Sequence, residues 1–272
     1  MEMNKLKIIL DYEILFSLDT KEFYDEIEKM FFSESDKKNI QTFFFDKKSS
    51  DSLNFEDYIT IGCMEDLSYY SCWQNDDEFC KLSEKLSSAE FKLGYWRRIK
   101  GDGNCYYRAV LIQYLEIIIS SCIADYNVDL IINLIRDLCF IDFEQTKENF
   151  RNKTITLLCY IINQIQLKNY ENAANFLYLI YNKTDIFEKC LILWLRLKLI
   201  SFLRSHLTFE INGMKLLNLL PGFEYEDDNS YDKTKIDNYI ASELLKMDEY
   251  VEIYPLYITP IVFKIGISVY HV

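Results

Sequence analysis

The chain has 272 residues, a mass of 32.6 kDa and a net charge of −13, and half of its residues are hydrophobic. That composition excludes a disordered polar chain, and the acidity disfavours contact with phosphate backbones, so no nucleic-acid partner is expected. The eight cysteines show no Cys-x-x-Cys spacing and no cysteine–histidine cluster, which excludes a zinc site by pattern, and no cofactor is expected.

In chain order, residues 1–60 read as a separate helical lead or arm. Lys21 to Phe32 is amphipathic, with Phe23, Ile27, Met30 and Phe31 on one face. Thr42 to Phe45 is a compact aromatic group, and residues 46–54 read as a polar linker. Leu6 to Leu10 is too short for a secretory core, and no run of eighteen apolar residues occurs, so no membrane span is expected. A charged helix over 76–91 leads into a short strand at Tyr95 to Ile99.

Next comes Gly101-Asp102-Gly103-Asn104-Cys105-Tyr106-Tyr107-Arg108-Ala109. Gly101 and Gly103 admit backbone angles that other residues avoid, and Asp102 and Asn104 are turn and N-cap residues. Tyr106, Val110, Leu111, Tyr114, Leu115 and Ile118 then recur at helical spacing. Cys105 therefore belongs in the first turn of a buried helix, where free N–H groups and the positive dipole end favour a thiolate. The same amides suit a developing oxyanion.

From Asn127 to His206 nearly everything reads as helix. Apolar stripes run through Val128–Leu138, Ile155–Ile162 and Phe176–Ile180, and Ile186 to Leu203 is apolar on most faces, as a central buried helix is. Cys122, Cys139, Cys159 and Cys190 fall in these runs and are expected to be packed thiols. With no secretory signal, this points to a reducing compartment, the cytoplasm with the nucleus also open. Pro221-Gly222 breaks the pattern ahead of an acidic loop at 224–230. Pro255 and Pro260 kink or shorten the next helix, and Phe263 to Tyr270 alternates as a strand.

The run Asp-Gly-Asn-Cys-aromatic-aromatic-Arg-Ala at 102–109 resembles the nucleophile motif of the OTU cysteine proteases, and most closely that of their otubain branch of deubiquitinases. Leu193-Trp194-Leu195-Arg196-Leu197 is similar to the family's long central helix, and Ile236 to Val251 to the segment that leads into its late strands. The resemblance implies a papain-like cysteine protease fold of the OTU type, α/β in the α+β sense, predominantly helical with a small β-sheet. It places the otubain-like domain at 61–272, without the family's final β-hairpin and histidine strand.

It implies Cys105 as nucleophile and Asp102 as an active-site acid or part of the oxyanion turn. Gly101, Gly103, Asn104 and Arg108 shape the turn and helix start, Arg108 through a buried ion pair. The family's base sits in a pattern of glycine, histidine, aromatic and acid, which neither His206 nor His271 matches. By order of elements His271 ends the strand before that hairpin, out of reach of Cys105. Two readings stay open. One is hydrolysis of ubiquitin isopeptide bonds; the other is a catalytically impaired relative acting as a ubiquitin-binding or scaffold subunit. The implied partners are ubiquitin or polyubiquitin, and a ubiquitin-conjugating enzyme or a larger protein assembly.

Overall fold

Long uninterrupted helices follow from the scarcity of breakers, seven glycines and three prolines in the whole chain. The computed structural model describes residues 60–62, 65–66, 95–140, 148–183, 185–211, 213–223, 232–247, 251 and 253–267. The N-terminal lead before Thr60, the helix expected over 76–91, the acidic loop at 224–230 and His271 lie outside the described residues.

Two short strands, β1 (Glu65–Asp66) and β2 (Tyr95–Trp96), pair antiparallel with Glu65 opposite Trp96. The ladder continues as a bridge between Ile61 and Ile99, with Gly62 N–H donating to the Arg98 carbonyl at 2.9 Å and Lys100 N–H to Thr60 at 3.1 Å. This pairing fixes the chain immediately before the turn at 101–104.

Five helices follow: α1 (Cys105–Asp125), α2 (Asp129–Phe140), α3 (Glu148–Gln166), α4 (Tyr170–Lys183) and α5 (Asp185–Ser205). The helical reading of 127–206 thus holds, with turns at the joints. α5 is the central element. Phe187, Leu191, Ile192, Trp194, Leu195, Leu199 and Leu203 are all buried along it, and it touches α1, α3 and α4. α1 is long and apolar enough to cross a bilayer by length and composition. Its buried face (Val110, Leu111, Leu115, Ile118, Cys122) instead packs in this core, beside a buried arginine. Cys122, Cys139, Cys159 and Cys190 are buried free thiols, as expected of them. Burial pushes Cys190 up to about 11 and Cys159 up to about 12.

After α5 a small hairpin pairs β3 (Glu210–Ile211) with β4 (Met214–Lys215) around Gly213, whose φ of +77° only glycine adopts freely. A 3₁₀ turn (Leu216–Leu219) follows. α6 (Lys233–Tyr239) is capped by Asp232, which accepts the Thr234 N–H at 2.8 Å, and runs on as a π-helical turn, Ile240–Leu244.

The last described element corrects the sequence reading. Phe263 does not open a strand: it closes helix α7 (Ile253–Phe263), and residues 265–267 are not in a strand. Its ring packs edge-on against Tyr114 and Trp194 at 5.3 and 5.2 Å, and this burial holds Phe263 in the helix. The alternation of Ile265 and Ile267 is too short to override that. Pro255 sits harmlessly in the first turn, while Pro260 lies within the helix, where it removes one helical hydrogen bond without ending it.

Candidate active site

The turn before α1 owes its shape to Gly103, whose φ of +84° lies in the left-handed region. Gly101 takes no such conformation and has open space where a Cβ would stand, so only one of the two glycines is required by geometry. Asp102 folds back and accepts the Asn104 N–H at 3.2 Å. Asn104 occupies the N-cap position, its carbonyl accepting the Arg108 N–H at 2.9 Å, but its side chain does not cap the helix. That side chain is buried and turned to α5, where its Oδ1 accepts from Arg196 Nη2 at 3.3 Å.

Arg108 is the anchor of this turn. Its side chain is 2% exposed. Nη1 and Nη2 donate to the two oxygens of Asp102 at 3.0 and 2.8 Å, a two-pronged contact that matches the planar guanidinium. Nε and Nη2 donate to Glu188 Oε1 at 2.9 and 2.5 Å, and Nη1 also reaches the Lys100 carbonyl at 2.6 Å. Burial alone would push the Asp102 carboxyl up. The hydrogen bonds and charge of Arg108, with the Asn104 N–H and Lys100, outweigh it and hold the group below its ordinary value.

Glu188 is missed by reading the sequence, although it leaves a signal: it is an acid on a buried face of α5, where an acid requires a cation. Arg196, eight residues on, stacks its guanidinium over the Tyr107 ring at 4.1 Å and donates Nη1 to the Leu244 carbonyl at 2.9 Å. On the far side of α1, Tyr106 donates its hydroxyl to the Pro255 carbonyl at 3.2 Å, bringing the start of α7 against the first turn.

Cys105 is the first residue of α1 and the one described cysteine that is not buried. It sits among the amides that a helix leaves unpaired at its N-terminus, at the positive end of 21 aligned peptide dipoles. The structure therefore brings together Asp102, Gly103, Asn104, Cys105 and Arg108, with Glu188 and Arg196 behind them. It does not bring His206 to them. That residue lies just past the end of α5, exposed, stacked on Phe202 at 4.2 Å, with Nδ1 2.8 Å from Ser205 Oγ and 3.1 Å from the Phe202 carbonyl. No hydrogen bond joins His206 to Cys105. Among the described residues no group of three or more His, Cys, Asp or Glu is placed to hold a metal ion.

A part-exposed thiol thus opens a buried helix on a turn held by a buried arginine. Residues 71–209, just over half of the chain, match the family model of peptidase C65, otubain, and the chain belongs to that family. Its fold is the OTU type of the papain-like α+β class, mostly helical with a small sheet.

The chain is also similar to solved structures. One is a ceOTUB1 complex with ubiquitin aldehyde and UBC13~Ub, at 19% identity and a TM-score of 0.48, covering 76% of this chain and 75% of that one. Another is h/ceOTUB1 with ubiquitin aldehyde and UBCH5B~Ub, at 20% identity and a TM-score of 0.49, covering 76% and 72%. A third is h/ceOTUB1 with ubiquitin aldehyde and UBC13~Ub, at 19% identity and a TM-score of 0.47, covering 76% and 72%. No curated protein sequence matches the chain.

Proposed function

We propose that this chain is an otubain-type deubiquitinase that hydrolyses ubiquitin isopeptide bonds with Cys105 as the nucleophile. The observation that carries the reading is the placement of Cys105: first in α1, part-exposed, on a turn whose acid, Asp102, is clamped by buried Arg108. Membership of the otubain family supports the substrate. The net charge of −13 complements the basic rim of ubiquitin.

In this mechanism the Cys105 sulfur attacks the carbonyl carbon of ubiquitin's C-terminal glycine. The carbonyl π electrons move to oxygen, and the backbone amides around Asp102 and Cys105 receive that oxyanion. The tetrahedral species collapses to a thioester and expels the lysine amine, which takes up a proton. Water then attacks the thioester and releases ubiquitin and the thiol. A histidine is the group suited to carry the proton. His206 is engaged at its own helix end, so His271 is the candidate to test, against its place in the order of elements.

The same reading gives residues 1–60 the role of an arm that contacts ubiquitin or a ubiquitin-conjugating enzyme. It places the protein in a reducing compartment, the cytoplasm or nucleus. The free cysteines support that location.

The test is covalent labelling by ubiquitin bearing a C-terminal electrophile, together with cleavage of diubiquitin. Labelling of the wild type that disappears in Cys105→Ala is the expected result. Labelling that survives this substitution assigns the nucleophile elsewhere. Ubiquitin binding with neither labelling nor cleavage would replace hydrolysis by the scaffold reading.

A further inference from the structure

Asn104 directly precedes the thiol residue, and three of its polar groups are each held by a different residue. Its N–H belongs to Asp102, its carbonyl to the Arg108 N–H and its side-chain oxygen to Arg196. The backbone of Asn104, at φ −95° and ψ 1°, lies outside the extended region from which an N-cap side chain reaches the first-turn amides, so its side chain is available to another part of the fold. That side chain is turned to α5, where Arg196 donates to it.

Arg196 is 1% exposed and lies amid the apolar residues of α5. Burying a guanidinium is unfavourable unless its donors and its charge are met. The Tyr107 ring, the Leu244 carbonyl and Asn104 each meet part of that demand. Two of these groups flank the start of α1. The third ends the π-helical turn at 240–244, where helix carbonyls lack partners in their own chain segment. Leu244 also lies beyond the span that matches the family model.

On this geometry, and building on Cys105 as the nucleophile, we propose that Arg196 is a positioning residue of the thiol site. It fixes the Asn104–Cys105 peptide from the Asn104 side chain and ties it to the 240–244 turn. Arg108 holds the turn from the Asp102 side; Arg196 holds it from the Asn104 side. Removing Arg196 releases the Asn104 side chain and with it the fixed position of the Asn104–Cys105 peptide.

The experiment compares Arg196→Met, Arg196→Lys and Asn104→Ala in the full chain, with the core variant Leu203→Ala as a control for stability. The readouts are melting temperature, the saturation kinetics of labelling by ubiquitin with a C-terminal electrophile, and the rate of Cys105 alkylation by iodoacetamide as a function of pH. A misplacement of about 1 Å costs on the order of a hundredfold in rate. Arg196→Met is therefore expected to slow the bond-forming step about tenfold to a hundredfold, leave the concentration for half-saturation unchanged, and shift the alkylation profile. Arg196→Lys should recover part of the rate, and Leu203→Ala should lower melting alone.

Asn104→Ala removes one of the three groups that Arg196 holds and leaves its contacts to Tyr107 and Leu244, so a folded Asn104→Ala is expected to fall between wild type and Arg196→Met. A folded Arg196→Met that labels and alkylates like wild type overturns the proposal; if that variant does not fold, wild-type behaviour of Arg196→Lys and Asn104→Ala together does so. Wild-type protein that ubiquitin fails to label, but whose Cys105 alkylation still responds to Arg196→Met, refutes the nucleophile reading and leaves the positioning role intact.

Discussion

Replacing Glu188 with glutamine tests the ion pair that locks the turn. Glu188 Oε1 accepts two hydrogen bonds from Arg108, and both side chains are nearly sealed from water, at 8% and 2% exposure. Glutamine keeps the shape and one accepting oxygen but removes the charge. Breaking a buried pair from one side costs about 3–5 kcal/mol, because the remaining charge is left uncompensated. Here Asp102 still faces Arg108, though with a side chain 29% exposed, so the remaining charge is partly compensated and we expect a smaller cost of about 2–3 kcal/mol. In a domain of this size about 1 kcal/mol moves the melting temperature by roughly 2–4 °C, so Glu188→Gln should melt some 4–12 °C below wild type.

Thermal and urea unfolding followed by circular dichroism give the measurement. The double variant Arg108→Met, Glu188→Leu should be less destabilised than the sum of its single variants, since neither charge is then buried alone. That double variant also separates stability from positioning: Asp102 loses its clamp, so labelling of Cys105 should fall even where the fold is retained. A Glu188→Gln protein within about 0.5 kcal/mol of wild type, with additive single and double variants, would refute the locked-turn argument.

Iodoacetamide at about pH 8 should modify Cys105 well before Cys122, Cys139, Cys159 or Cys190, as mass spectrometry of peptides would show; equal modification in the native protein would contradict their burial. The lowered Asp102 carboxyl makes its pairing with Arg108 fully stabilising above about pH 4, with that contribution lost as pH falls through the depressed value. Wild-type stability should therefore drop more steeply on acidification than that of Asp102→Asn, and parallel profiles would remove the linkage. Diubiquitin cleavage by His271→Ala settles the base: by the order of elements it should differ little from wild type, and loss of cleavage would place His271 at Cys105.

The parts of this molecule legible in the sequence are those governed by local rules. A tight turn, a cysteine and a period of 3.6 residues fix where α1 starts, and stripes such as Ile155–Ile162 fix which faces of the later helices are buried. Local rules misread Phe263, because period-two alternation over a few residues cannot weigh the burial of one ring against Tyr114 and Trp194. They also overstated Gly101, since a glycine beside a turn need not be the one that requires a positive φ.

The site behind the thiol was the least legible part, for a physical reason. Arg108 meets Glu188 across 80 residues, and Asn104 meets Arg196 across 92. Partners so distant in sequence are chosen by helix packing, not by any local pattern. The motif announces that Arg108 needs an acid and α5 announces that Glu188 and Arg196 need partners, but only the crossing of α1 and α5 decides which meets which. The chemistry at Cys105 thus depends on a helix whose sequence resembles plain core. On the proposed function, a substitution on the buried face of α5, far along the chain from the cysteine, acts on Cys105 through two arginines rather than through stability alone.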